Sequence, residues 1–266
     1  MYLLAWASLL LTLTADTTWH SVRPGLERTE FPFAATGLAA RIHVIALRIT
    51  PCQIHLSLME RLKDSGLRNG WTVDSIPASA VVAFNGGQFK ATTPFGWSVI
   101  DGIEHAGPGT GPLTMAVAID SGGAISLLAP NEIAARRGHV AQALQSYPTL
   151  LVDSALPHQL LPASREIDLT HRDSRLAIGT DNRGRVLVVL TRFTAGSGAI
   201  STLPYGPTIP ELALLMQRLG ATRAVGLDGG ISSQLAVREP SGKVTKWTNW
   251  RTVPVGIVGT PRDCGR

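Results

Sequence analysis

Two distant stretches of this chain are written to the same plan. Ala80-Val81-Val82-Ala83-Phe84-Asn85-Gly86-Gly87 and Ala224-Val225-Gly226-Leu227-Asp228-Gly229-Gly230 each run as a short apolar segment, one polar residue and two glycines. An unbroken apolar run of this length is what a strand buried on both faces requires. The polar residue then stands at the mouth of a buried strand, where its side chain is held rigidly. The glycines behind it reach backbone conformations closed to other residues and let a ligand approach the backbone N–H groups. If the two strands are neighbours, Asn85 and Asp228 open into one pocket, with Ser232 and Ser233 just beyond. Taken singly, each tripeptide also reads as a tight turn whose Asn or Asp bonds its own backbone.

The remainder reads as strands joined by turns. Arg41 to Met59 holds two strands separated at Pro51. Met115 to Ile119 and Ile125 to Leu128 flank Asp120-Ser121-Gly122-Gly123, and Leu176 to Ile178 and Val186 to Leu190 flank Asp181-Asn182-Arg183-Gly184, two hairpin signals. Glu132 to Leu144 is expected to be a helix. A clearer helix runs from Ile209 to Leu219: Thr208 and Glu211 form a capping box, Pro210 sits in the first turn and Gly220 follows the end. Leu212, Leu215, Met216 and Leu219 share one of its faces. With 266 residues, 44% of them hydrophobic, the chain buries a substantial core, and its 27 glycines favour strands and tight turns over long helices. No linker or repeat divides it. The expected fold is α+β: one domain, residues 16–266, of mixed, largely antiparallel β-sheet with a few packed α-helices.

Leu3 to Leu13 is an apolar run that ends in the small residues of Thr12-Leu13-Thr14-Ala15. A spanning helix needs roughly 20 apolar residues, so this stretch reads as a signal peptide over residues 1–15. The expected location is secreted or periplasmic, with no stable membrane span once the signal is removed. In an oxidising compartment Cys52 and Cys264 could join, closing a very long loop worth ~3–5 kcal/mol. Two unpaired thiols fit the sequence equally.

The formal net charge of +5 draws anionic partners. The densest basic group, Arg165 to Arg185, also carries Glu166, Asp168, Asp173 and Asp181 and lacks interleaved aromatics. That pattern argues against nucleic acid and leaves a solvated basic surface or an anionic small-molecule or glycan substrate. The seven histidines (His20, His43, His55, His105, His139, His158 and His171) are isolated, the cysteines have no metal-ligand spacing, and Gly107 to Gly111 lacks the residues of a nucleotide loop. No metal and no cofactor is expected. There is no Gly-x-Ser-x-Gly elbow.

The order of motifs carries more than any one of them. Asn85-Gly86-Gly87-Gln88-Phe89, Val99-Ile100-Asp101-Gly102, Tyr147-Pro148-Thr149-Leu150-Leu151-Val152, Arg172-Asp173-Ser174-Arg175-Leu176-Ala177-Ile178-Gly179, Leu227-Asp228-Gly229-Gly230-Ile231-Ser232-Ser233-Gln234-Leu235 and Val253-Pro254-Val255-Gly256-Ile257 follow one another. This succession, over roughly Ala80 to Val258, resembles the phosphodiester glycosidase family. The chain departs from that family's pattern at Ile231, where a third glycine is usual, at Gln88, where an aromatic is usual, and at Leu176, where Thr or Ser is usual.

The resemblance implies a hydrolase that cuts between a sugar's anomeric carbon and a phosphate oxygen, as in an N-acetylglucosamine-1-phosphodiester of envelope or extracellular glycans. The leaving phosphate monoester, with a second pKa of about 6, needs no strong general acid. Such a site needs cations and N–H donors for the phosphate and a carboxylate on the sugar side. Arg175 suits the phosphate and Asp228 the sugar, with Asp101 as second carboxylate. Gly86, Gly87, Gly229 and Gly230 would offer backbone N–H groups, and Asn85 and Ser232 would hold hydroxyl or phosphate oxygens. Against these roles stand an ion pair of Arg175 with Asp173 or Asp228, and a turn-forming Asp101-Gly102. If Asp228 and Asp101 work together, a separation near ~5 Å predicts retention and ~6.5–9.5 Å inversion. Two rivals remain: a non-catalytic binder of phosphorylated glycans on the same scaffold, and a glycosidase or phosphodiesterase of different specificity.

Overall fold

The computed structural model describes residues 17–35, 41–60, 70–91, 93–111, 113–161, 168–194, 203 and 205–264. The expected signal peptide, residues 1–15, lies outside them, as do Arg165 and Glu166 of the basic group.

Three sheets surround one core. The first has the order β1 (His20–Arg23), β2 (Leu26–Phe33), β3 (Arg41–Ile49), β15 (Val186–Thr194), β14 (Leu176–Asp181), β16 (Ala221–Gly226), β13 (Thr149–Leu151). The second runs β11 (Ile125–Leu128), β10 (Met115–Ile119), β12 (Gln142–Ser146), β8 (Ser98–Ile100), β9 (Ile103–Ala106). The third runs β18 (Val244–Trp247), β17 (Leu235–Arg238), β5 (Val82–Asn85), β19 (Val255–Pro261), β4 (Ile54–Glu60), and β6 (Phe89–Lys90) and β7 (Thr93–Pro94) form a small ribbon. Every pairing among these strands is antiparallel.

The alternation of side chains explains the layering. Leu47, Ile49, Ile178 and Val188 of the first sheet, Met115 and Val117 of the second, and Leu56, Val82, Phe84 and Ile257 of the third point into the shared core. Their sequence neighbours point the other way and are also buried. Val44, Ala46, Leu187 and Ala224 pack outward against Leu212, Leu215 and Met216 of a covering helix. Ala116 and Ala118 meet Trp97 and Ile133, and Ala83 and Ala236 meet Trp71 and Val73. Burial on both faces is why these strands read as continuous apolar runs rather than as alternating ones.

Two α-helices occur among the described residues, so strands dominate the fold more than the expected α+β wording suggests. Helix α1 (Pro130–Arg136) is shorter than the helix expected over Glu132 to Leu144. Gly138 adopts φ 83° just past its end, and the chain then extends into β12, where Leu144 faces the shared core and Ala143 the outer cluster. Helix α2 (Ile209–Arg218) forms as read, with the hydroxyl of Thr208 accepting from Glu211 N and the carboxylate of Glu211 accepting from Thr208 N. The two predicted hairpins are present, with Ala116↔Leu128 and Ile178↔Val188 in register.

Cys52 and Cys264 are joined as a disulfide, with their Cα atoms 5.1 Å apart. The bridge ties the end of the chain to the turn between β3 and β4, where Arg262 also donates to the carbonyl of Cys52 at 3.0 Å. No helix among the described residues is long and apolar enough to cross a membrane.

Candidate active site

Strands β5 and β16 are not partners: β5 lies in the third sheet and β16 in the first. Their Gly-Gly ends meet all the same, just past the C-terminal ends of the two strands. Asp228 N donates to Gly86 O at 3.1 Å. Asn85 completes the joint: its Nδ2 donates to Asp228 O at 2.8 Å and to Gly86 O at 3.1 Å, and its Oδ1 accepts from Gln234 N at 2.8 Å. Asn85 is 0% exposed, with both of its N–H donors committed to the backbone. It therefore clamps the two turns together from behind.

The first turn is packed tightly. A Cβ at Gly86 would lie 2.9 Å from Val255 O and from a methyl of Leu144, and one at Gly87 would lie 2.9 Å from Ser146 Oγ. Gly86 N is already bonded to Val255 O at 2.9 Å. The adjacent Gln88 is fully engaged too, donating to the carbonyls of Tyr147 and Leu227 and accepting from Ser146 Oγ at 2.6 Å and Tyr147 N at 3.1 Å.

The second turn faces a different neighbour. Gly229 lies against the backbone of Ser174, whose oxygen would sit 2.7 Å from an added Cβ. Gly230 N donates to that same carbonyl at 2.8 Å. At φ +57°, with Asp173 Oδ2 only 2.9 Å from where a Cβ would be, position 230 admits glycine and little else. The segment His171 to Arg175 thus lies along the Asp228 turn. It is bolted to the start of α2 by Arg172, whose guanidinium grips Glu211 through two bonds, Nη1 to Oε2 at 2.8 Å and Nη2 to Oε1 at 3.2 Å. Glu211 serves both the helix cap and this anchor. Arg175 is held by Nε to Pro207 O at 3.2 Å and Nη2 to His171 O at 2.8 Å, leaving Nη1 uncommitted among the described residues.

These elements enclose a cavity of about 210 Å³ whose polar lining includes Asp173, Arg175, Asp228, Gly229 and Gln88. Asp228 Oδ2 and Asp173 Oδ1 are buried and have no hydrogen-bond partner among the described residues. Burial raises the Asp228 carboxyl above the ordinary aspartate value; a hydrogen bond from Ser232 and the charge of Arg251 pull it back, and the charge of Asp173 pushes it up again. Burial likewise raises Asp173, opposed chiefly by the charge of Arg175. Arg175 is pushed down by burial, with Asp173 opposing. Two mutually repelling carboxylates, each with one oxygen unpartnered among the described residues, beside a guanidinium with a donor to spare, make a pattern typical of functional sites.

Of the residues expected from sequence, Asp228, Arg175 and Gly229 line this cavity. Ser232, buried behind them, bonds the Asp228 carboxylate. Gly230, Asn85, Gly86 and Gly87 form its backing. The N–H groups of Gly86 and Gly230 are spent on protein carbonyls, whereas those of Gly87 and Gly229 have no such bond among the described residues. Asp101 is elsewhere. It occupies the tip of the β8–β9 hairpin at φ 51°, followed by Gly102 at φ 78°, a two-residue turn with both central residues left-handed. Its carboxylate meets Gln142 at 3.4 Å, at the far end of β12 from Ser146, about 13 Å away at ~3.3 Å per residue. Asp173 takes the place beside Asp228. Its signal in the sequence was its position inside the Arg172 to Arg175 motif, two residues before the candidate phosphate ligand. Among the described residues no cluster of three or more His, Cys, Asp or Glu is placed to hold a metal ion.

The family model for phosphodiester glycosidases matches residues 78–259. Among solved structures, the catalytic domain of zebrafish N-acetylglucosamine-1-phosphodiester alpha-N-acetylglucosaminidase, auto-inhibited by its pro-peptide, is similar with a TM-score of 0.65 and 18% identity. That match covers 92% of this chain and 87% of the zebrafish one. A Synechocystis protein matches with a TM-score of 0.58 and 15% identity over 94% of this chain and 64% of its own. A Burkholderia pseudomallei protein described as exported matches with a TM-score of 0.54 and 18% identity, over 86% and 76% of the two chains. At these identities the likeness is one of fold. No curated protein matches.

Proposed function

The chain belongs to the phosphodiester glycosidase family, and we propose that it hydrolyses a sugar 1-phosphodiester at the bond between the anomeric carbon and oxygen. The observation that carries this reading is the placement of two raised, mutually repelling carboxylates, Asp228 and Asp173, beside the free donors of Arg175 in one cavity. Cleavage develops positive charge on the sugar and leaves negative charge on the departing phosphate. Carboxylates favour the first and the guanidinium the second, and both effects gain strength where water is excluded. In this reading Arg175 holds the phosphate through Nη1, with the Gly229 N–H as a second donor.

Asp228 serves as the base for the attacking water. Its upward shift brings its proton affinity closer to what a base needs near neutral pH. Asp173 lies across from it and stabilises charge on the ring. Ser232 keeps the Asp228 carboxylate oriented. An N-acetylglucosamine-1-phosphodiester is the substrate class to test first. The disulfide fits an oxidising compartment, and with the apolar leader over residues 1–15 it supports export to the periplasm or medium.

The test is direct. The mature protein, given methyl N-acetylglucosamine-1-phosphate, should release free sugar, and Asp228→Ala should not. In heavy-oxygen water the label should enter the sugar; label in the phosphate would sink the glycosidase reading. Tight binding without turnover across several such diesters would instead favour a phosphoglycan-binding protein.

A further inference from the structure

Beside the charged cavity lies a second one of opposite character. It holds about 330 Å³, and its exposed lining is almost entirely carbon, from residues that include Phe95, Leu113, Tyr147, Pro148 and Ile209. Tyr147, Pro148 and Ile209 line both cavities, so the two are neighbours that share one wall. The wall is pre-formed. The Phe95 ring meets Tyr147 edge-on with centroids 5.1 Å apart, Phe95 N donates to Gln88 O at 2.8 Å, and Thr149 N donates to Leu113 O at 2.7 Å. The hydroxyl of Thr114 is spent on Gly111 O at 3.1 Å, which removes a polar group from the lining.

A phosphodiester has two substituents, and the sugar accounts for one. With the phosphate at Arg175 and the sugar at Asp228, the second ester arm has the Tyr147–Pro148–Ile209 wall to follow. A polyhydroxylated alcohol placed there would give up its bonds to water for none in return, whereas a hydrocarbon chain gains from every methylene removed from water. Taking the ~30 Å³ share of a water molecule as a yardstick, the space accepts about ten methylene-sized groups.

Resting on the function proposed above, we infer that the alcohol arm of the substrate is apolar: a sugar 1-phosphate esterified to an alkyl or prenyl alcohol, with the chain seated against Phe95, Leu113 and Tyr147. Water adds its oxygen to the anomeric carbon, the carbon–oxygen bond to phosphate breaks with its electron pair going to phosphate, and an alkyl phosphate monoester leaves. Its products are the free sugar and that monoester.

The experiment compares methyl and octyl esters of N-acetylglucosamine 1-phosphate with the full mature chain. Binding energy from the chain, realised away from the reacting centre, should raise kcat/KM for the octyl ester at least about tenfold, since a fully buried methylene is worth about fourfold. Phe95→Gln and Thr110→Glu, the latter at an exposed rim position, should each cut the octyl-to-methyl ratio at least threefold. Equal turnover of both esters overturns the apolar arm and leaves the reaction standing. If neither ester is cleaved, the reaction reading fails, and calorimetry with octyl and methyl phosphate decides the cavity separately. Octyl phosphate binding about tenfold tighter, and weakened by Phe95→Gln, supports the seat; no difference overturns it. A dimer in native mass spectrometry that Phe95→Gln converts to monomer also overturns it, because a second copy would then cover the face.

Discussion

The two Gly-Gly turns share a sequence plan and part company in their bonding. At Asn85 every side-chain donor is matched by a backbone carbonyl, and the residue is wholly buried. At Asp228, across the same joint, one carboxylate oxygen has no partner among the described residues. Unsatisfied buried oxygens are costly, so the turn at 228 presents an oxygen ready to accept a hydrogen bond. The turn at 85 holds that group in place. One copy of the motif closes the joint and the other presents an unpartnered carboxylate oxygen. The lesson is that a repeated motif does not imply a repeated role, and that hydrogen-bond completeness tells the copies apart.

Swapping the two side chains, and then neutralising Asp173 beside them, tests this division. Asp228→Asn should reduce kcat/KM for a sugar 1-phosphodiester by about 10³-fold, within the range for loss of a general base, while circular dichroism and chemical denaturation show an intact fold. The reverse change, Asn85→Asp, should act on folding. It removes both donors to Gly86 and Asp228 and buries a carboxylate, for a loss of roughly 3–5 kcal/mol in urea unfolding. If Asn85→Asp folds normally and loses only activity, the division of labour is wrong.

The third effect is smaller and depends on pH. Asp173 has a native pKa above its unfolded value, so the native state binds its proton more tightly and this carboxyl lowers stability once it is ionised. Asp173→Asn should therefore melt higher than wild type at pH 7. The gap should close as pH falls through the raised native value and vanish below the ordinary aspartate value of about 3.9, where the carboxyl is protonated in the folded and unfolded states alike. A melting curve at each pH measures it, and a gap that widens in acid would contradict the assignment.

Much of this was legible where the signal is local. The hairpins around Asp120 to Gly123 and Asp181 to Gly184 follow from turn residues between apolar runs, and helix α2 follows from its capping box. The helix expected over Glu132 to Leu144 was overrun because the left-handed Gly138 ends it and sheet pairing claims Gln142 to Ser146, a partner choice no local pattern carries. The sheet placement of β5 and β16 was left open for the same reason: the two look alike, and likeness says nothing of which sheet receives each. Asp101 was drawn into the site by a motif whose local meaning is a left-handed turn. Asp173 belongs there because Arg172 reaches across to Glu211, a contact between residues 39 positions apart.

The bridge between Cys52 and Cys264 spans 212 positions of sequence and encloses most of the described protein. From Cys52 to Cys264 the chain is in effect a covalent ring. A protease that nicks a surface loop anywhere between those two residues would leave a single covalent species, its fragments separating only after reduction. Electrophoresis with and without thiol would show it, and the protein would thereby survive cuts that dismantle a linear chain.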